Sequence, residues 1–291
     1  MKDSAFVILL EILLAFLAVA IVLGNIFVIQ TVLRNTQLKT IPNMCITSLA
    51  VADLFVGLVN VPMYMYAVYA NEMGIFVSRA YGLSLQSLDI FFGSASIAHL
   101  ASISVERCYA ITCPMRRRFL RKATMLKILI GVWLVGIIPV VLFLTVTSYQ
   151  FILMAGCFLL PLVIIIVCYT TLFISTKISG MKMRDHRVQS KWKDLILAKT
   201  LFIVIIFFVL TWAPFFILFT YLTFLPKSLT FAKIKYATYF VKILQYFSSA
   251  CNPFIYAFRH RDFKRALRRL CGILTKSSDV QTMLTSRTSC D

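Results

Sequence analysis

Residues 89–108 read DIFFGSASIAHLASISVERC and decide how the rest of the chain is understood. The stretch is apolar enough to sit in a bilayer, yet it opens on Asp89 and closes on Glu106-Arg107. Eighteen residues separate Asp89 from Arg107, about five helical turns, so both project from one side of a helix. Ser94, Ser96, His99, Ser102 and Ser104 continue the polar stripe between them. Ionisable groups within a membrane span are functional candidates by default. This span is expected to be the central helix of a bundle, with a carboxylate near one face of the membrane and a Glu-Arg pair near the other.

The composition agrees. Of 291 residues 60% are hydrophobic and 14% charged, a balance that excludes a soluble single-core protein of this length. Stretches of about twenty apolar residues mark membrane helices. Seven occur, at roughly 5–33, 41–68, 77–109, 122–146, 149–177, 194–223 and 232–257. The net charge of +19 does not report a nucleic-acid partner, because the basic residues gather at alternate ends of these spans. Arg34 and Lys39, Arg116 to Lys122, Lys177 to Lys193 and Arg259 to Arg269 fall on one side. By the positive-inside rule that side is cytosolic, which puts the N-terminus outside. The first apolar run is too long for a signal-peptide core and is expected to act as its own anchor.

Each span carries a polar residue or a proline where an apolar one is easier to insert. The first has Gly24-Asn25, the second Asp53 near mid-bilayer, where a carboxylate costs about 2.5–3.5 kcal/mol unless it is partnered. The later spans hold Trp133 and Pro139, Pro161 and Tyr169, Trp212 and Pro214, and Ser248-Ser249-Ala-Cys-Asn252-Pro253 with Tyr256. Internal prolines bend a helix or free carbonyls for other donors. Beyond the last span, Phe258, Phe263, Leu267 and Leu270 recur among basic residues, as in a short amphipathic helix on the inner leaflet. The organisation read from the sequence is a seven-helix membrane unit at 1–258, a surface helix at 259–271 with Cys271 as a lipidation candidate, and a disordered tail at 272–291.

These residues, in order and at matching spacing, resemble the rhodopsin-like (class A) G-protein-coupled receptors: Gly24-Asn25, Leu-Ala-x-Ala-Asp53, Glu106-Arg107-Cys108, Trp133, Pro161 with Tyr169, Trp212-x-Pro214 and Asn252-Pro253-x-x-Tyr256. The resemblance covers almost the whole chain. It implies an all-α seven-transmembrane bundle with a short amphipathic eighth helix, no enzymatic activity, a plasma-membrane location and a heterotrimeric G protein as partner. Arrestin and a receptor kinase are implied at the Ser/Thr-rich tail. Within the family, Asp89 with Ser94 to Leu100, Phe215-Phe216 and Tyr246 is most similar to receptors for biogenic amines. There the Asp89 position pairs with a ligand ammonium, Tyr246 hydrogen-bonds that carboxylate, and Trp212, Phe215 and Phe216 line the pocket floor. Asp53, Ser96, Ser249 and Asn252 resemble the family's sodium site, the one cofactor-like ion implied. Glu106, Arg107, Tyr169, Asp194, Asn252, Pro253 and Tyr256 match the switch that releases the cytosolic end, with Asp194 reaching Arg107 as an ionic lock. Met115 matches the inner-loop residue that plugs into the G protein.

The departures are as informative. Gly82 replaces the cysteine that ties the third span to the second outward loop, and that loop has only a few residues around Thr147-Ser148. Leu153, Met154 and Cys157 stand where catechol and indole amine receptors show hydroxyls. Lys242 faces the same cavity as Asp89 by family geometry. It either snorkels to the outer surface or pairs with Asp89, and a pair favours an amino-acid-like or other zwitterionic ligand over a simple amine. Two further readings stay open: a constitutively active receptor whose Asp89 is held by Lys242, and a retinal photoreceptor. The latter is disfavoured by Tyr246 at the position of the Schiff-base lysine.

Overall fold

The computed structural model describes residues 4–117, 119–146, 149–178, 186–224 and 230–259. Seven long helices run through them: α1 Ser4–Arg34, α2 Ile41–Met73, α3 Arg79–Thr112, α4 Lys122–Thr145, α5 from Tyr149–Leu153 into Leu160–Ile178, α6 His186–Phe224 and α7 Phe231–Arg259. The first six contain stretches long and apolar enough to cross a bilayer. In α7, Lys233, Lys235 and Lys242 dilute the apolar run, and its place in the bundle comes from packing against α1 and α6. The α6 helix begins at His186, well before the expected membrane boundary at 194, so part of the third inner loop is helical. The expected surface helix at 259–271, Cys271 and the 272–291 tail lie outside the described residues.

The exterior is apolar, as a bilayer demands, and the polar groups of the spans are gathered inside among apolar neighbours. Leu126, Ile130, Leu134 and Ile138 on α4 and Val163, Ile166 and Phe173 on α5 are exposed, whereas Asn25, Asp53, His99, Arg107 and Asn252 are buried. Lipid tails are as apolar as leucine, so helices associate through close packing and interhelical hydrogen bonds. The α3 helix packs against α2, α4, α5 and α6, as expected of a central helix. Its buried His99 meets the Ser48 hydroxyl at 2.7 Å through Nε2, and the Trp133 indole donates to the same hydroxyl at 3.1 Å. These contacts join α2, α3 and α4 with no charge.

Three irregularities position the site. Wide π-helical turns interrupt α2 at Val56–Asn60 and α5 at Met154–Leu159, each just before a proline, and α4 is broken at Gly136. The sequence reading anticipated bends at the prolines of the later helices but not the one in α2. At the α1–α7 seam, Gly24 leaves room for the Pro253 ring, and Asn25 donates to the Ser249 carbonyl at 3.3 Å.

A Cβ on Gly24 would lie 2.9 Å from the rigid Pro253 Cγ, while one on Gly131 meets nothing within 4 Å. Gly24→Ala is therefore expected to cost about 1–3 kcal/mol by overpacking, and Gly131→Ala to leave stability unchanged or raise it. Thermal unfolding of the purified protein in lipid nanodiscs compares them. Equal melting temperatures for the two variants would contradict this seam.

Candidate functional site

The outer half of the bundle surrounds a cavity of about 360 Å³ that runs from Asp89 and Lys242 past Trp212 to Asp53 and Asn252. Its two ends are acidic and its walls mostly apolar. At the outer end Asp89 sits between α2 and α7. Lys242 extends from α7 and forms an ion pair with Asp89 Oδ2, so it turns inward rather than snorkelling. The side chains of the pair keep 15% and 19% exposure respectively, which leaves them within reach of a guest. Asp89 Oδ1 accepts from Asn60 Nδ2 at 3.3 Å and more weakly from the Tyr246 hydroxyl at 3.5 Å. The ammonium also lies 5.3 Å from the centre of the Phe215 ring, a cation–π contact.

The floor is aromatic. Phe208 and Trp212 stack at 5.3 Å, Phe215 and Phe216 meet edge to face at 5.3 Å, and Phe216 stacks on Phe158 of α5 at 4.5 Å. Helical spacing on α6 puts residues 208, 212, 215 and 216 on neighbouring positions of one face. The indole approaches α3 so closely that a Cβ on Gly93 would lie 2.6 Å from its Cη2. A movement of Trp212 is thus a movement of α6 against α3. Toward α5, Leu153 and Cys157 line the cavity, an apolar wall with little to offer a ring hydroxyl.

At the inner end three helices converge on Asp53. Ser96 of α3 and Ser249 of α7 donate to its Oδ1 at 3.0 and 2.8 Å, and Asn252 Nδ2 donates to Oδ2 at 2.7 Å. Three of the four residues expected to form a sodium site thus contact the fourth, Asp53. Carboxylate and hydroxyl oxygens are the hard donors such an ion takes, so the residues present fit the group.

At the opposite end of α3 from Asp89, Arg107 is fully buried and pairs with Glu106. Tyr169 of α5 packs with Ala101 and Ile111 of α3, and its ring lies 5.0 Å from that of Phe202 of α6 in a tilted arrangement. Met115 is 70% exposed on the short helix Pro114–Arg117. Pro253 and Asn252 are buried in α7. Asp194 and Tyr256 lie on described helices, but their side chains are outside the described residues, and the expected Arg107–Asp194 contact is among those.

Sequence reasoning missed Asn60, Tyr64 and Glu72. Glu72, near the outer end of α2, pairs with Lys235 and accepts from the Tyr239 hydroxyl at 2.7 Å, tying α2 to α7 above the pocket. Gly74 then ends α2 in the left-handed conformation, the usual glycine stop. A Cβ on Gly82 would meet nothing within 4 Å. At this rim the tie described is electrostatic, between α2 and α7.

The pattern of the 7 transmembrane receptor (rhodopsin family) matches residues 24–150 and 144–256. The chain belongs to this family. It is a multi-pass membrane receptor that couples to a G protein, and it is not an enzyme. An octopamine receptor beta-2R from Chilo suppressalis is 27% identical across 93% of this chain and 82% of its own length. A trace amine-associated receptor 7e from Mus musculus is 30% identical, covering 87% and 79%. A melanopsin from Rutilus rutilus is 28% identical, covering 87% of this chain and 56% of its own. Identities so close together do not choose a ligand, and the choice rests on the site.

Glu72→Gln removes the charge from the α2–α7 tie. Hydrogen bonds to charged groups contribute about 1.5–3 kcal/mol, so the variant should melt earlier in nanodiscs, and Tyr239→Phe should lower stability by less. A melting temperature indifferent to Glu72→Gln would remove the tie from the fold's stability.

Proposed function

We propose that this receptor responds to a small amine-bearing ligand that also carries an anionic group, an amino-acid-like zwitterion, bound between Asp89 and Lys242. The observation that supports this reading is the ion pair itself. A plain amine added beside it leaves one carboxylate facing two ammonium groups. At about 5 Å in a partly polar site two like charges repel by roughly 3 kcal/mol. A zwitterion brings its own anion to Lys242 and keeps the site neutral.

Ligand above the aromatic floor is then read by Trp212. An outward swing of α6 about its Pro214 bend opens the cytosolic end, where Arg107, Tyr169, Asp194 and Tyr256 receive a helix of the heterotrimeric G protein and Met115 plugs into its surface. Such a change is a shift between two packings of one bundle. Asp53, Ser96, Ser249 and Asn252 hold a sodium ion that favours the closed packing. The plasma membrane with the N-terminus outside, a palmitoyl group on Cys271, membrane lipid under the 259–271 helix, and arrestin and a receptor kinase at 272–291 complete the proposal.

The melanopsin similarity leaves one second reading open, a retinal photoreceptor. Tyr246 occupies the Schiff-base position and Lys242 lies one turn further out, so an absorbance spectrum after incubation with retinal tests it. No visible band is the expected result.

Screening amines and amino acids on wild type, Asp89→Asn and Lys242→Ala tests the main reading. Lys242→Ala should weaken zwitterion responses roughly 10- to 100-fold, the loss of one charge-assisted bond, and strengthen responses to plain amines. Asp89→Asn should abolish both. Unchanged ligand preference in Lys242→Ala overturns the zwitterion assignment. High ligand-free G-protein turnover, lost in Arg107→Ala, indicates instead that Lys242 acts as a built-in cation.

Raising sodium at constant ionic strength should lower agonist affinity in wild type and have no effect in Asp53→Asn. Salt-independent binding in wild type would contradict the ion site.

A further inference from the structure

The widened turn Val56–Asn60 is the least explained part of the bundle, and π-helical turns inside α-helices are frequent at functional sites. This one ends on Asn60, with Tyr64 a turn beyond, and both residues line the cavity beside Asp89 and Tyr246. Asn60 is 1% exposed and Tyr64 9%. An ionised carboxylate only accepts hydrogen bonds, so the Asn60 amide must turn its NH2 group to Asp89. That leaves Asn60 Oδ1 as an acceptor aimed elsewhere. Neither this oxygen nor the Tyr64 hydroxyl meets a partner among the described residues.

A buried polar atom without a partner costs about 1–3 kcal/mol, so two of them on one cavity wall point to a polar guest. The surrounding geometry says of what kind. Lys242 holds Asp89 Oδ2 and leaves Oδ1 to the α2 side, where its contacts to Asn60 and Tyr246 are 3.3 and 3.5 Å long. The Tyr64 and Tyr246 rings meet edge to face at 5.7 Å and wall the nook. Asp89 Oδ1, Asn60 Oδ1 and the Tyr64 hydroxyl are thus the oxygens of residues that line this side of the cavity, the last two without a partner among the described residues.

We propose that Asn60 and Tyr64 form a head-group subsite selective for a primary ammonium, whose three N–H donors match these three oxygens. The inference rests on the zwitterion reading above and adds the nitrogen's substitution. With the ammonium on the α2 side of Asp89, the ligand's anion faces Lys242, and its apolar remainder lies over Trp212 toward the α5 wall. Each N-methyl group removes a donor and adds bulk. A trimethylated nitrogen leaves Asn60 Oδ1 and the Tyr64 hydroxyl unmet. Quaternary ammonium groups bind to aromatic ring faces, but the groups left unsatisfied in this nook are oxygens.

The test uses the full chain in lipid nanodiscs and a matched panel of alkyl and aryl primary amines and α-amino acids, each beside its N-trimethylated form. Affinity is read from the ligand-induced shift in thermal unfolding. Primary members are expected to bind at least about tenfold more tightly than their trimethylated forms, the effect of one lost charge-assisted bond. Tyr64→Phe, which keeps the ring, and Asn60→Leu should each shrink that ratio toward one. Trimethylated forms that bind as tightly as the primary ones, or a ratio unchanged in both variants, overturn the subsite. If the panel binds in an Asp89-dependent way without discriminating methylation, the subsite alone fails. If nothing in the panel binds wild type, the subsite and the zwitterion reading fail together.

Discussion

An ionised side chain in hydrocarbon without a partner costs about 2.5–3.5 kcal/mol on insertion scales, and Asp53, Asp89, Glu106, Arg107 and Lys242 are among the ionisable groups within the helices of this bundle. Each is held where another side chain answers it. Asp53 collects donors from α3 and α7, Asp89 takes Lys242, and Arg107 takes Glu106. Because two of these three assemblies bridge α7 to α2 or α3, they also fix where α7 stands. That matters more here than in an apolar helix, since α7 is too polar to be held in place by lipid alone.

Between these assemblies the cavity is walled by aromatic and aliphatic side chains, and this contrast carries the coupling. The polar groups hold α2, α3 and α7 by directional bonds, whereas at the pocket α6 meets α5 by the stacking of Phe216 on Phe158 and α3 by the close approach of Trp212 to Gly93. Stacked rings slide at lower cost than ion pairs break. An element with loose contacts on one face and a proline inside it is the one that can change packing, which is what a two-state switch requires.

The sequence made the costly features legible and concealed the cheap ones. Asp53, Asp89 and Arg107 stood out because nothing but function or partnership retains them in an apolar run, and the structure brings Asp53 together with Ser96, Ser249 and Asn252. Asn60, Tyr64 and Ser48 gave no such signal, since neutral polar residues are tolerated in membrane helices. The turn at Val56–Asn60 obscured them further. One inserted residue rotates the rest of a helix by about 100°, so the residues of α2 that face the cavity cannot be counted from Asp53. The direction of Lys242 was equally unreadable, because a long flexible side chain reaches either water or a carboxylate from the same backbone position. Glu72 fell beyond the expected end of the second span at 68, outside the stretch where a charge draws notice.

The Lys242–Asp89 pair appears at first to close the pocket to amines, and charge balance shows why it instead changes which amine fits. Breaking a buried pair by removing one partner costs about 3–5 kcal/mol, because the remaining charge is left without compensation. A simple amine that displaced Lys242 would incur that cost in the ammonium it expels, unless Lys242 found water at the rim. The proposed zwitterion expels nothing: its ammonium would take Asp89 Oδ1, whose contacts to Asn60 and Tyr246 are long, and its anion would take further donors of Lys242. On the proposed reading both protein charges stay paired throughout, and the ligand would be read by two opposite charges rather than by one. A ligand oriented at both of its charged ends would need no hydroxyl on the apolar α5 wall to orient its remainder.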